Sequence, residues 1–367
     1  MDRIRVGIIG ASKGGWASLG HIPALQALPQ YELRAVSTSR LETARRAAEE
    51  FGAAHAFDNH RDLVEHPEVD LVVVAVKVTH HHELVTAALA AGKSVYSEWP
   101  LGVDLAEAED LAARAEAAGV RTAIGLQARF SPEIRAARDL IADGYVGRVL
   151  GTTLVGSGVA WTGETDSAHA YTFDDASGAT ALTVPGMHAL DAMDYTLGRF
   201  TRMSAELVTA RKTVHVADTG ATVPVTAPDQ ITVSGTLAGG AGASLYYRGG
   251  YSRGQNLRWE INGTEGDLVL SAPGINGNIQ VADLKLEGGH GTDTGVSEIH
   301  VPDTYLAGVP RELTGPPRNV ALLYAHLAED LSTGGTTVPG FEHALERHRQ
   351  LAAIRHAART GSAVTVD

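Results

Sequence analysis

The sequence predicts an α/β domain built on a doubly wound parallel sheet, followed by an α+β domain with a large, open, mainly antiparallel sheet. Three observations predict it. The first third of the chain alternates short β-branched runs with helix-patterned runs. Its first strand runs directly into a glycine turn, Val6-Gly7-Ile8-Ile9-Gly10-Ala11-Ser12-Lys13-Gly14-Gly15-Trp16. Beyond residue 150 the texture changes to polar–apolar alternation broken by Gly and Asn.

The elements follow in order. Strand-like runs occur at residues 3–9, 32–36, 69–76, 93–96 and 121–124. The run from Val69 to Val76 is nearly all apolar, as expected of a strand covered on both faces. Asp104 and Glu107 form a capping box and Gly119 a stop, while Ser131-Pro132 opens the next helix and Gly144 closes it. In the second part, residues 230–237, 243–248 and 257–261 read as strands of a sheet with one exposed face. Two helices, at residues 318–331 and 340–360, end the chain. Two helices alone make a poor core, so the expected domains are residues 1–125 and 126–367.

Composition narrows the function. The 367 residues are 44% hydrophobic and include no apolar run of membrane-spanning length, so a membrane partner is not expected. The start Met1-Asp2-Arg3-Ile4-Arg5 does not read as a secretory signal, and a cytoplasmic location is the expectation. No cysteine is present, which removes disulfides, thiolate metal sites and cysteine nucleophiles together. A net charge of −13 disfavours nucleic acid as a partner.

The glycine turn is where chemistry begins. A strand, a glycine turn and a helix present unpaired N–H groups and a positive helix end to an anion. Here the G-x-G-x-x-G pattern is altered to Gly10, Ser12 and Gly15, with Lys13, Gly14 and Trp16 in the same turn. A Rossmann-type dinucleotide site is expected. The end of the second strand reads Val36-Ser37-Thr38-Ser39-Arg40, with no carboxylate to accept from a ribose hydroxyl. Arg40 offers a planar cation for a 2′-phosphate, with Thr38 and Ser39 as hydroxyl donors, so NADP is expected ahead of NAD. The alternative is an exposed arginine at a helix start. Lys77 sits just past a buried strand, at the carboxyl edge where open α/β sheets bind ligands. His80, His81 and His82 are adjacent and cannot all face one ion, so no metal site is assigned. The cluster from His343 to His348 reads as one exposed helix face.

Several segments together resemble the glucose-fructose oxidoreductase and inositol dehydrogenase (Gfo/Idh/MocA) family. They are the glycine turn, Ala90-Ala91-Gly92-Lys93-Ser94-Val95-Tyr96-Ser97-Glu98-Trp99-Pro100, Gln127-Ala128-Arg129-Phe130-Ser131-Pro132, the stretch holding Gly178, His188 and Asp191, and Asn262-Gly263-Thr264-Glu265-Gly266. Gly15-Trp16-Ala17, Val76-Lys77-Val78 and Glu98-Trp99-Pro100-Leu101 are most similar to the subgroup containing the fungal galactose-regulon repressor. The resemblance implies reversible hydride transfer between a nicotinamide and a carbinol or carbonyl carbon of a sugar-like substrate. It also implies that Glu98, Trp99, Pro100 and Gln127 frame the nicotinamide, that Val76, Lys77 and His81 lie near the cofactor, and that the chain forms a dimer or tetramer. The departures matter as much. The family's usual lysine and aspartate positions hold Trp99 and Val184, so of the Lys, Asp and His set only His188 remains. His188 is the expected acid–base residue, with Asp191 three positions on to orient it and Tyr171 or Lys77 as substitutes. Two alternatives stay open: a cofactor-binding sensor without strong catalysis, and an NADPH-dependent imine reductase.

Overall fold

In the computed structural model, which describes residues 3–366, the short apolar strands of the first part pair in one six-stranded parallel sheet. Met1 and Asp2, part of the N-terminal reading above, lie outside the described residues. The strands are β1 (Ile4–Ile9), β2 (Tyr31–Ser37), β3 (His55–Phe57), β4 (Leu71–Val74), β5 (Ser94–Glu98) and β6 (Thr122–Gly125). Their order is β3-β2-β1-β4-β5-β6, which places a topological switch point between β1 and β4. All four residues of β4 are buried, in keeping with its apolar run. The helices between them are α1 (Ile22–Gln26), α2 (Leu41–Phe51), α3 (His60–Val64), α4 (His81–Ala90) and α5 (Leu105–Ala118). Asp104 caps α5 by accepting from the Glu107 amide at 3.0 Å, and the Glu107 carboxylate accepts from the Val103 amide at 2.9 Å. The short edge strand β3, three residues with none fully buried, and α3 were not legible in the sequence.

The second part contains α6 (Pro132–Ala142), β7 (Val149–Gly158), β8 (Glu164–Thr165), α7 (Met187–Leu197), β9 (Phe200–Val208), β10 (Thr213–Val216), β11 (Ala221–Pro224), β12 (Gln230–Leu237), β13 (Gly242–Gly249), β14 (Leu257–Gly263), β15 (Gly266–Ala272), β16 (Lys285–His290), β17 (Ser297–Glu298) and β18 (Val364–Thr365). Nine of these strands form one sheet in the order β17-β16-β15-β14-β7-β13-β12-β9-β18. β7 and β13 pair in parallel and the other neighbours antiparallel. Along β12 and β13 buried residues alternate with more exposed ones, which is the period-two pattern read in the sequence.

Two long helices remain, α8 (Pro316–Thr333) and α9 (Phe341–Thr360). Packing divides the chain into one unit of residues 1–127 and 306–348 and another of residues 128–305 and 349–367. This differs from the expected division, because α8 joins the parallel-sheet unit. Tyr324 of α8 is fully buried, with ring centroids 5.2 Å from both Tyr31 and Tyr96. At the end of α8, Asp330 accepts from the amides of Thr337 (3.0 Å) and Val338 (2.8 Å) and from Arg121 (2.8 Å). Two helices do need another element's core, and the one α8 completes belongs to the first sheet. Among the described residues, no helix is long and apolar enough to cross a membrane.

Burial works against the charge of Asp330, but the Val338 and Thr337 amides and Arg121 outweigh it and hold its carboxyl below the usual range. Asp330→Ala is expected to cost about 3 kcal/mol, the size of breaking a buried pair, read as a lower urea midpoint at neutral pH. Because the folded value is depressed, this contribution is complete above the ordinary carboxylate pKa and is lost as pH falls through the folded value. The gap between wild type and variant should therefore narrow below about pH 4.

Candidate functional site

β1 ends in a sharp turn at Gly10, whose φ is +100°. A Cβ there would stand 2.4 Å from the Ala75 carbonyl oxygen and 2.6 Å from Val76 Cγ1, so glycine alone lets the turn lie against the end of β4. The Ser12 amide donates to Gly10 O (2.8 Å) and the Gly15 amide to Ser12 O (3.1 Å). Ser12, Lys13 and Gly14 are exposed, and Gly14 has open space where a Cβ would be. A tight turn with exposed backbone at the switch point is a cradle that fits a pyrophosphate. Lys13 lies 3.5 Å from Glu50. The helix beyond begins as a π-helical turn, Ala17–His21, and the Trp16 ring lies against Gly20, where a Cβ would approach it to 3.1 Å.

The residues that follow β2, Thr38, Ser39 and Arg40, include no carboxylate. Thr38 is buried, and its hydroxyl donates to the Arg40 carbonyl at 2.9 Å and lies 2.6 Å from the Thr43 hydroxyl, so it is engaged inside the turn. Ser39 and Arg40 are exposed, with Arg40 extended just ahead of α2.

On the other side of β1, Val76 is half-buried and Lys77 exposed after β4. His81 is buried, with Nδ1 2.9 Å from the Pro100 carbonyl and Nε2 3.2 Å from the Val76 carbonyl. It ties together the loops that follow β4 and β5. Burial pushes its pKa down, against the pull of those carbonyls. The three adjacent histidines go three ways, since His82 contacts Asp110 at 2.7 Å and His80 is exposed. Glu98 ends β5, and Gln127 and Pro100 are buried. Trp99 is only 4% exposed, its ring centroid 4.8 Å from that of His348. Its burial is that of an interior aromatic. His348 is likewise buried, which corrects the exposed-face reading of its cluster: that end of α9 turns this histidine inward.

In the second unit, His188 and Asp191 lie on α7 and are both buried. Asp191 accepts a fork from Arg129, Nε to Oδ2 at 2.9 Å and Nη2 to Oδ1 at 2.5 Å. Arg129 was missed as a site residue, although a basic side chain in a largely apolar segment is a signal that a buried acid waits for it. Tyr171 sits half-buried on a short turn, and burial pushes its phenol up. A pocket of about 710 Å³ in the same unit is lined by residues including Thr162, Arg211, Tyr251, Ser252 and Arg253. Among the described residues His55, His66 and Glu68 are grouped closely enough to hold an ion. His55 (2.7 Å) and Arg34 (2.9 Å) already hold the Glu68 carboxylate, pushing its pKa down to about 2, and the cluster reads as an ion-pair network.

Fold and turn define a class: a Rossmann dinucleotide-binding unit followed by an α+β unit with a large open sheet. Within that class the chain belongs to the Gfo/Idh/MocA oxidoreductase family. Residues 4–126 match the family's NAD-binding Rossmann fold, and residues 132–272 match a domain like the C-terminal domain of Gal80p. Dehydrogenase aclE of Aspergillus oryzae is 34% identical over 287 residues, covering 74% of this chain and 78% of that one. The galactose/lactose metabolism regulatory protein GAL80 of Saccharomyces cerevisiae is 30% identical over 305 residues, covering 77% and 69%. Among solved structures, a super-repressor mutant of Gal80p from S. cerevisiae superposes with a TM-score of 0.88 at 25% identity, covering 100% of this chain and 99% of that one. An oxidoreductase domain protein from Kribbella flavida gives 0.86 at 26% identity over the whole of both chains.

Burial holds the His348 pKa down at about 4, against a weak opposing pull from Asp104. The unfolded chain therefore binds a proton that the folded chain refuses. Stability is expected to fall as pH drops from about 6.5 towards 4. A Tm-against-pH curve should be flatter for His348→Leu than for wild type across that window.

Proposed function

We propose that the chain is an oxidoreductase that prefers NADP(H) and moves a hydride between the nicotinamide and a carbinol or carbonyl carbon of a sugar-like substrate. The observation that carries this is the Gly10–Gly15 cradle at the switch point, flanked by an exposed Arg40 where a carboxylate is absent. Family membership supports the reaction class. The substrate class draws on levoglucosan dehydrogenase of Pseudarthrobacter phenanthrenivorans, 26% identical over 297 residues, covering 74% of each chain. In this reading the turn amides hold the pyrophosphate and Arg40 the 2′-phosphate. A bound nicotinamide supplies or accepts the hydride. His188 takes the hydroxyl proton in oxidation and returns it in reduction, and Arg129 keeps Asp191 fixed on the same helix.

A second reading is favoured by Trp99 at the family's lysine position and by the match to the Gal80p C-terminal domain. It is a regulator that binds the dinucleotide and a protein partner with little chemistry. Turnover assays with oxidised sugars separate the two.

Fluorescence titration should show NADPH binding more tightly than NADH, with Arg40→Ala erasing most of the preference. A charge-assisted phosphate contact contributes about 1.5 to 3 kcal/mol, which corresponds to roughly tenfold or more in affinity. An NADH preference in the unmodified protein would refute the cofactor assignment. His188→Asn keeps much of the volume but removes the proton-exchanging group. Turnover is expected to drop about 10²-fold or more with dinucleotide affinity kept. Unchanged turnover in this variant would move the role to Tyr171 or Lys77, and absence of turnover in wild type would favour the regulator.

A further inference from the structure

The pocket of about 710 Å³ in the second unit serves no purpose in the reading above. It is formed by the segments that follow β7, β9 and β13, and its volume is that of a small-molecule site. Its lining holds two arginines, Arg211 and Arg253, and no carboxylate, in a chain whose net charge is −13. Tyr251 stands on its wall with 57% of its surface exposed. The loop that carries Tyr251 and Arg253 has a fixed path. The buried Asn256 side chain accepts from the Ser252 amide at 2.7 Å and donates to the carbonyls of Ser252 (3.0 Å) and Gly274 (3.1 Å), and Ser252 Oγ accepts from the Gly254 amide at 3.0 Å.

The two arginines are held differently. Arg211 is anchored on one side, where Nη1 donates to the Gly249 carbonyl at 3.0 Å and to Asp229 Oδ2 at 3.3 Å. Asp229 is buried and also accepts from the amides of Ala210 (2.8 Å) and Arg211 (3.0 Å), so three donors share its one charge. Arg211 Nη2 lies towards Gly250, where φ is +83° and a Cβ would stand 3.3 Å from that nitrogen. Glycine keeps a side chain off this edge of the guanidinium. Arg253 is exposed, and among the described residues no ion pair or hydrogen bond occupies it. A single exposed arginine is ordinary surface. Two guanidiniums on one acid-free cavity repel each other, and an anion between them removes that cost.

We propose that this pocket binds a sugar-sized organic anion, whose carboxylate or phosphate is held by Arg253 and the Nη2 edge of Arg211 and whose ring lies on the face of Tyr251. A guanidinium presents a fork of N–H donors that matches either anion. The Ser252 hydroxyl, already an acceptor for the Gly254 amide, keeps its proton to donate to a ligand oxygen. Tyr251 adds a large apolar face with a polar tip, which suits a sugar ring. A loop fixed by Asn256 lowers the ordering cost of binding. Every lining residue belongs to the second unit, so the site does not rest on the dinucleotide-binding reading.

Calorimetric titration of the full chain, with and without NADP⁺, tests it with three probes. D-gluconate carries a carboxylate, D-glucose 6-phosphate a phosphate, and D-glucose no charge. At least one anion should bind about tenfold more tightly than glucose, the size of a hydrogen bond to a charged group, and the preferred one tells carboxylate from phosphate. Arg253→Gln should reduce this preference to within about twofold. Arg211→Lys keeps a cation beside Asp229 but loses the fork, and should lower the preference about threefold. Arg202→Gln removes the same charge at an exposed position of β9 outside the pocket, and should leave all three affinities unchanged. The proposal is overturned if neither anion is preferred over glucose, if Arg253→Gln keeps the full preference, or if Arg202→Gln lowers it as much as Arg253→Gln does. A chain that prefers the anion but binds no NADP⁺ would refute the dinucleotide-binding reading and leave this site standing.

Discussion

The approach of the Gly10 turn to the Ala75 carbonyl is the constraint on which the nucleotide unit depends. At 2.4 Å from the place of a Cβ, the two backbones leave room for no side chain, so the turn lies directly against the end of β4 at the switch point of the sheet. The rest of the rim is built outward from this contact by buried polar side chains. His81 joins the Val76 loop to the Pro100 loop, which carries the rim from β4 to β5. His21 and Glu98 then connect the end of β5 to the helix that leaves the glycine turn. The link through His81 is stiff, because a buried nitrogen that loses its carbonyl partner carries a desolvation penalty.

Trp99, at the position where the resemblance implies a lysine, is more than the loss of a charged group. A lysine needs water or an anion at its head, whereas Trp99 is packed against His348, and burial disfavours the charged form of that imidazole. Tryptophan and a neutral histidine suit each other, because neither brings a charge into an apolar setting. The departure therefore comes with surroundings that match it.

What the sequence disclosed follows the range of the interaction. The glycine turn, the Asp104 cap and the alternation along β12 depend on residues a few positions apart, and all three were legible. The placement of α8 was not, since an amphipathic helix announces that it buries one face and not what covers it. His21 with Tyr324 and Arg129 with Asp191 join residues 303 and 62 positions apart, and no local pattern encodes such pairs. Burial misled at the end of the chain, where His348 was expected on an exposed helix face and is buried.

The Arg129 fork changes what Asp191 can do. Asp191 is matched by the Arg129 guanidinium rather than left as a lone carboxylate on α7. What the pair supplies instead is geometry. Two parallel hydrogen bonds fix Asp191, and through it the first turns of α7, against the segment that carries Arg129. His188 is thereby held on a rigid element.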